Sequence, residues 1–252
     1  RSLTMGDTLP EKFISTALRR GLKASRLSKS DSISKALLNR LEEVPESLLT
    51  TDLLKEAVRS ADKIKDYDGA VEWTRVGERL SRNSGYWLHR RGVIHIRNNR
   101  LESAVRAFQS VPDTSDQAVE SRFLLGEIAF ERDGLDTATH YYQSIRNDTG
   151  YHYEAQYGLG WVAIKRGHYD TAIRQLQTAS EAQNQIGRDA SLDLARLHRR
   201  LDRVNGAKKW YNRSIRRTDE PLKSQIRIEW ADYLVERGQL SDAISHYEDA
   251  QS

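Results

Sequence analysis

Few side chains in this chain of 252 residues could do chemistry, and they form no catalytic pattern. Cysteine is absent, which excludes disulfides, thiolate metal sites and cysteine nucleophiles. The seven histidines are scattered and include no H-E-x-x-H pair. Asp136 and His140 are four residues apart on one predicted helix, but without further ligands this spacing indicates a surface pair rather than a metal site. Gly158-Leu159-Gly160 lies inside a helical pattern and is not a phosphate loop, and no nucleophile elbow, Walker or kinase signature is present.

We therefore expect no catalytic residue, no metal and no cofactor, and we do not expect this chain to be an enzyme. The second candidate chemistry is the binding of anions. Residues 188–217 hold 10 basic and 3 acidic residues, and Arg196, Arg199 and Arg200 share one helical face. Such clusters can bind phosphates, and the nearby Trp210 and Tyr211 could stack on bases. Because adjacent segments supply compensating carboxylates, the pattern favours an acidic protein segment or a neighbouring domain over nucleic acid.

The elements that must position these residues are indicated by a regular series of alanines. The gaps between successive members are 34, 34, 34, 34, 35 and 36 residues. The series is Ala36, Ala70, Ala104, Ala138, Ala172, Ala207 and Ala243. A fixed period in this range is typical of stacked repeats, in which each unit contacts only its neighbours. The apolar content of 38% and the mean hydropathy of −0.72 suit such a thin-layered core, and no stretch is long and apolar enough to span a bilayer.

Each period contains two predicted helices with a tight turn before the alanine. Gly and Asn in these turns are expected to supply the left-handed backbone that ends the first helix, as in Asn99-Arg100, Asp133-Gly134, Gly167-His168 and Gly238-Gln239. A small residue usually stands twelve positions before the alanine, as at Gly92, Gly126, Gly160, Ala195 and Ala231. A bulky residue stands four positions after it, as at Phe108, Tyr142, Leu176, Tyr211 and Tyr247. We expect the small residues to let the two helices approach closely.

This spacing resembles the tetratricopeptide repeat, in which a Leu-Gly step in the first helix precedes Ala-x-x-x-Phe in the second. The matching residues are Leu125-Gly126, Leu159-Gly160 and Leu194-Ala195, then Ala104 with Phe108 and Ala138 with Tyr142. The resemblance covers about residues 51–252 and implies a right-handed, all-α solenoid of antiparallel helix pairs. The expected repeats are 51–84, 85–118, 119–152, 153–187, 188–223 and 224–252.

The pattern weakens at both ends. The first repeat has Val58 at the small position and Thr74 at the bulky one. Residues 1–50 are predicted to be a helical segment whose nature stays open between a degenerate repeat, a cap and a linker. The stretch from Arg19 to Ser30 is the part that lacks the pattern. Because the chain begins at Arg1 and stops after an apparent second helix, we expect a piece of a longer protein.

The resemblance also implies a concave groove, lined by the first helices, that holds a peptide or a neighbouring domain. The residues carried onto this face by register are Tyr86, His89, Ile96, Arg97, Phe123, Glu127, Phe130, Tyr157, Trp161, Ile164, Lys165, Arg196, Arg199 and Arg200. An aromatic centre with charged edges is typical of a specific protein interface. The competing interpretation is that these aromatics pack between helices.

The expected function is therefore protein–protein interaction or scaffolding. The alternative is a non-catalytic repeat region of a larger enzyme, for example a glycosyl- or other transferase, that sets oligomeric state or substrate reach. The expected partner is a protein, a peptide or another domain of the same protein, with nucleic acid disfavoured and self-association left open. The expected location is the cytoplasm.

Overall fold

Helix follows helix along the chain. A computed structural model describes residues 11–81, 83–147 and 149–251, and this part of the chain contains fourteen α-helices, one short 3-10 helix and no strand. The all-α prediction is confirmed. The chain divides into two compact units at residues 121 and 122, and these are described separately.

The first unit contains α1 to α6 and the start of α7. Their bounds are α1 Glu11–Leu27, α2 Asp31–Glu42, the 3-10 helix Glu46–Leu48, α3 Thr51–Lys63, α4 Tyr67–Leu80, α5 Ser84–Arg97, α6 Leu101–Gln109 and α7 Ala118–Glu131. The second unit contains the rest of α7 and seven more helices. These are α8 Leu135–Gln143, α9 His152–Lys165, α10 Tyr169–Ala179, α11 Gln185–Arg200, α12 Val204–Arg217, α13 Leu222–Glu236 and α14 Leu240–Gln251.

Consecutive helices pack as pairs within each unit. The pairs are α1 with α2, α3 with α4 and α5 with α6 in the first unit, and α9 with α10, α11 with α12 and α13 with α14 in the second. Large side chains fill the layers between them, including Trp87 in the first unit and Tyr211 and Trp230 in the second, each at most 1% exposed. Within the described ranges, none of the helices combines the length and the apolar character that crossing a membrane requires.

The turn inside each pair is a Schellman motif, in which one left-handed residue ends the first helix. The residue five positions before each alanine from Ala70 onward has a positive φ: Lys65, Asn99, Asp133, Gly167, Asp202 and Gly238, with φ between 54° and 74°. The next residue's N–H closes the motif on a carbonyl five residues earlier, for example Asp66 N to Ala61 O at 2.9 Å and Arg203 N to His198 O at 2.9 Å. From Ala70 onward the alanines themselves are at most 1% exposed and lie in the core.

Two details of the sequence interpretation are wrong. In the turn Asp133-Gly134 the left-handed residue is Asp133, with φ 60°, whereas Gly134 has φ −79°. Ala36 does not continue the alanine series, because it is exposed. The buried small residue of α2 is Ser34, 1% exposed, which lies five residues after the left-handed Lys29 and bonds Ser25 Oγ at 2.9 Å.

The small and bulky positions contact one another, as expected. A Cβ added at Gly92 would lie 2.5 Å from the Phe108 ring, one at Gly126 2.6 Å from Tyr142, and one at Gly160 2.8 Å from Leu176. In the first predicted repeat the sizes are exchanged, since Val58 and Thr74 are both buried. That repeat therefore keeps both positions in the core although the residue sizes differ from those of the later repeats.

The stretch from Arg19 to Ser30 is helical up to Leu27, where α1 ends. α1 packs against both α2 and α3, and Leu22, the residue twelve positions before Ser34, is fully buried. The pair formed by α1 and α2 thus follows the register of the later pairs when it is counted from Ser34.

Candidate functional site

Four predicted groove residues lie on α5 in the first unit, and most of their polar atoms have partners within that unit. Tyr86 is partly buried, meets Trp87 edge to face at 4.9 Å, and has the Lys55 ammonium 4.9 Å from its ring centroid. Arg97 pairs with Asp62 at 2.6 Å, and Ile96 is partly buried.

Asp62 is an acceptor that sequence reasoning missed. It is 5% exposed, and Oδ2 accepts hydrogen bonds from Arg90 at 2.8 Å and from Arg97 at 2.6 Å. A buried carboxylate needs such pairing, because desolvation of an isolated charge is costly. Arg97 therefore fastens α5 to α3 in addition to presenting a charge.

His89 stands in an arrangement that superficially resembles a Ser-His-acid set. Its Nδ1 lies 2.9 Å from Ser121 Oγ and its Nε2 lies 3.5 Å from Glu120 Oε2. Burial lowers the pKa of His89, opposed by Glu120 and assisted by Arg90. Ser121 is only 1% exposed, so no substrate could reach its hydroxyl. We interpret the arrangement as a structural contact that links α5 to α7.

The second unit brings the predicted aromatics of α7 into contact with other rings. Phe123 lies between Tyr142, with ring centroids 6.1 Å apart, and Tyr151, at 5.4 Å. Glu127 accepts a hydrogen bond from the Tyr142 hydroxyl, and burial together with this bond raises the pKa of that tyrosine. These contacts support the packing interpretation for Phe123.

Phe130 is covered by a cation. The Lys165 ammonium lies 4.3 Å from its ring centroid and also pairs with Asp133 Oδ1 at 3.2 Å. The predicted residues Phe130 and Lys165 are thus brought together.

The three predicted aromatic and apolar residues of α9, Tyr157, Trp161 and Ile164, differ in their surroundings. Tyr157 and Ile164 pack against the core of the second unit, and the Tyr157 hydroxyl donates to Asp193 Oδ2 on α11 at 2.6 Å. Trp161 meets Tyr157 edge to face at 6.5 Å and is only partly buried. It differs in this from the chain's other tryptophans, which are at most 8% exposed: Trp73, Trp87, Trp210 and Trp230. The neighbouring repeat thus accounts for Tyr157 and Ile164 but leaves Trp161 accessible.

Three carboxylates that the sequence analysis did not single out lie on the same two helices. Glu154 is three residues before Tyr157 on α9, and Asp189 is four residues before Asp193 on α11. We call Glu154, Tyr157, Trp161, Asp189 and Asp193 the acidic–aromatic patch. Within the described part of the chain, none of its carboxylates forms an ion pair with Lys, Arg or His.

The pKa values of two patch carboxylates reflect this environment. Burial raises the pKa of Asp193, although hydrogen bonds from Tyr157 and Trp161 and the charge of Arg196 act in the opposite direction. Burial also raises the pKa of Asp189. For Asp189 a hydrogen bond from Gln185 and the charge of Arg188 act in the opposite direction, but in both groups the effect of burial is larger.

Two of the three predicted arginines of α11 have partners on α13, and the third contacts a ring on α10. Arg196 makes a bidentate contact with Glu229, with bonds of 2.8 to 3.2 Å, and the Tyr211 hydroxyl donates to the same carboxylate at 2.6 Å. Arg199 pairs with Glu236 at 3.0 Å, and the Arg200 guanidinium lies 5.6 Å from the Tyr169 ring centroid. Two of the three guanidinium groups thus have a carboxylate partner.

The comparisons with known proteins agree with this architecture. A family model described as tetratricopeptide repeat matches residues 157–220. A similar solved structure is the C-terminal part of a TPR repeat-containing protein from Cytophaga hutchinsonii, 14% identical, with a TM-score of 0.69 and 92% of each chain covered. Pseudomonas aeruginosa pilF is 14% identical, with a TM-score of 0.58 over 85% of this chain and 96% of that chain. No curated protein sequence matches the chain.

A third similar structure is YrrB, described as a TPR protein with an unusual peptide-binding site. It is 16% identical, with a TM-score of 0.50 over 69% of this chain and 86% of that chain. The helix pairs therefore define an α-solenoid. The predicted resemblance is confirmed, since the tetratricopeptide repeat model matches residues 157–220 and the fold is similar to that of the TPR repeat-containing protein from Cytophaga hutchinsonii. At these identities the structural likeness shows the fold alone.

Proposed function

We propose that this chain binds an extended segment of a protein partner along the first-helix face of α9 and α11, with a lysine or arginine of the partner at the acidic–aromatic patch. The observation that carries the proposal is the partial exposure of Trp161, the one tryptophan that the core does not bury. Tryptophan is over-represented among the interface residues that dominate binding energies.

The charge of the patch selects a basic side chain. Asp189 and Asp193 lie near the aromatic rings without a paired cation, and Glu154 Oε2 is buried without a hydrogen-bond partner. A cation placed over a tryptophan face gains about 0.5–2 kcal/mol, and carboxylates nearby add charge-assisted hydrogen bonds.

The same features argue against an anionic ligand at this place. Phosphates or acidic side chains would meet three carboxylates, while Arg196 and Arg199 are already engaged by Glu229 and Glu236. A partner that used those arginines would have to displace carboxylates of the chain itself.

The test uses the accessible tryptophan as a probe. Titration of a short peptide carrying two lysines should change the fluorescence of Trp161, and a counterpart peptide with glutamates should not. Trp161→Ala and Asp193→Asn should each weaken binding of the lysine peptide about tenfold or more. Because four other tryptophans also fluoresce and Trp161→Ala removes the one expected to respond, the affinities of all variants are measured by calorimetry.

A matched control is Asp232→Asn. Asp232 also accepts a tyrosine hydroxyl, that of Tyr247 at 2.6 Å, but lies outside the patch. The affinity of the Asp232→Asn variant for the lysine peptide should stay within twofold of that of the unaltered chain. If Trp161→Ala lowered the free energy of unfolding but left binding intact, the packing interpretation would replace this proposal.

We also infer that the repeat boundaries predicted at about 51, 85, 119, 153, 188 and 224 each open one helix pair. The register counted from Ser34 supports α1 and α2 as a further, degenerate pair. Deletion of residues 1–42 should then expose the face of α3 and lower the unfolding midpoint without abolishing the helical signal.

A further inference from the structure

A cleft of about 530 Å³ lies on the first unit among α4, α5 and α6. Four guanidinium groups line it: Arg75 from α4, Arg91 from α5, Arg100 at the start of α6 and Arg106 from α6. The cleft contains none of the residues of the predicted groove or of the acidic–aromatic patch.

His95 forms part of the cleft wall, and the charges of all four arginines affect its pKa. Burial lowers the pKa of His95, and the positive charges of Arg100, Arg91, Arg75 and Arg106 lower it further. Its side chain is 9% exposed, and its Nδ1 is buried without a hydrogen-bond partner. Because this nitrogen is buried, His95 does not contact a ligand through it, but its ring lies close enough to the four guanidinium groups to report on charge in the cleft.

The carboxylates that line the cleft compensate only half of its charge. Asp68 pairs with Arg100 at 2.7 Å, and Glu72 pairs with Arg75, but both acidic side chains are more than 60% exposed. Ion pairs this exposed are weak and leave the arginines available. Arg91 bonds Glu78 and Thr74, while Arg106 donates to Ser103 Oγ at 3.1 Å and forms no ion pair with any described residue.

The balance of charge favours an anion. Asp68, Glu72 and Glu78 pair with three of the four arginines, which leaves one positive charge in excess, that of Arg106. A phosphate monoester carries about −1.5 to −2 at neutral pH with three acceptor oxygens, whereas a carboxylate carries −1 with two. The cleft is lined by arginine and not by lysine, and the planar guanidinium fork matches phosphate oxygens in bidentate contacts.

We propose that this arginine cleft binds a phosphate monoester, with Arg106 as its principal ligand and Arg75 and Arg100, whose ion pairs are exposed and weak, beside it. The phosphate could be a small molecule or a phosphorylated side chain of a protein partner, since both present the same group.

The experiment measures binding of three probes to the full chain by calorimetry: inorganic phosphate, phenyl phosphate and a phosphoserine hexapeptide. Saturable binding of phenyl phosphate that weakens as salt is added, with a shift of the His95 ring resonances, is expected. Arg106→Gln should weaken binding about tenfold or more, the usual effect of losing a hydrogen bond to a charged group.

The matched control is Arg174→Gln. Arg174 stands two residues after Ala172 as Arg106 stands two after Ala104, it is likewise exposed, and it likewise donates to a hydroxyl three residues earlier, Thr171 at 3.0 Å. Its affinity for phenyl phosphate should stay within twofold of the unaltered chain. Circular dichroism of both variants reports that they remain folded.

The comparison of probes distinguishes the sources of phosphate. Tighter binding of the phosphoserine peptide than of phenyl phosphate supports a phosphorylated partner, and the reverse order supports a small phosphorylated ligand. The proposal is overturned if no probe binds saturably, or if Arg174→Gln weakens binding as much as Arg106→Gln. The lysine-peptide titration at Trp161 is independent of both results.

Discussion

The exchange of sizes between Val58 and Thr74 predicts that other small–bulky pairs can be exchanged in the same way. The pair to test is Gly160 and Leu176, because Leu176 is fully buried and its side chain would lie 2.8 Å from a Cβ at Gly160. Gly160→Val with Leu176→Thr would reproduce the arrangement of Val58 and Thr74.

The magnitudes follow from the contact. Gly160→Val alone forces side-chain atoms into Leu176 and should cost about 1–3 kcal/mol of unfolding free energy. Leu176→Thr alone opens a cavity and should cost about 2–5 kcal/mol. Added independently, the two would cost about 3–8 kcal/mol. Since the new valine fills the space that leucine leaves, a coupling of about 1–3 kcal/mol should reduce the cost of the double variant to about 2–5 kcal/mol.

The assay is urea denaturation of the four proteins of the cycle, followed by far-ultraviolet circular dichroism. A mispaired control combines Leu176→Thr with Gly126→Val, since Gly126 faces Tyr142 instead. The mispaired double variant should be additive within about 0.5 kcal/mol. Additivity in the matched pair as well would refute the idea that volume is shared between the two positions.

Two further predictions concern the turns and a buried histidine. Lys65→Gly should raise the free energy of unfolding, measured by urea denaturation, by about 0.5–1 kcal/mol. The substitution relieves the left-handed strain of Lys65 (φ 62°), about 1–2 kcal/mol, and this exceeds the cost of the added unfolded-state entropy. A lower free energy of unfolding would mean that Lys65 is not strained. The pKa of His89 is lowered in the folded state, so the unfolded chain binds more protons below about pH 6.5, and stability should fall as the pH drops from 7.5 to 5.5. In His89→Gln this fall should be smaller, and an unchanged pH profile would contradict the assignment.

The period of the array could be predicted from sequence because each repeat requires small and large side chains at fixed positions. Buried alanines and the contacts of Gly92 and Gly126 with aromatic rings require particular residue types, so they leave a visible pattern. The left-handed turn residue is different. Lys65, Asp133 and Asp202 have no special propensity comparable to that of glycine, and the packing of the helix pair imposes their conformation.

The register of the first pair was misread for a related reason. Ala36 fits the spacing by residue type, yet the helix turns it outward and buries Ser34 instead. A serine can take the place of alanine because Ser25 supplies its hydroxyl with a partner. Such a substitution depends on a contact between two helices, and a sequence pattern that considers one position at a time cannot show this contact.

The polar contacts across repeats were missed because their partners are about one period apart in sequence. Tyr157 reaches Asp193, 36 residues on, and Arg196 reaches Glu229, 33 residues on. These separations close to the alanine spacing are a usable signal, since stacking brings equivalent positions of successive repeats together.

This pairing across one period also changes how charge in a repeat protein should be counted. The window 188–217 has an excess of seven positive charges, yet Arg196 and Arg199 find carboxylates beyond its end and Arg203 pairs with Asp170 before its start. Arg217 is occupied by the carbonyl of Ser180 and by other backbone oxygens. The charge that a partner meets is the charge left after such contacts are made. By that measure the surface around Trp161 is acidic and the cleft beside His95 is basic, so the two proposed sites select ligands of opposite charge.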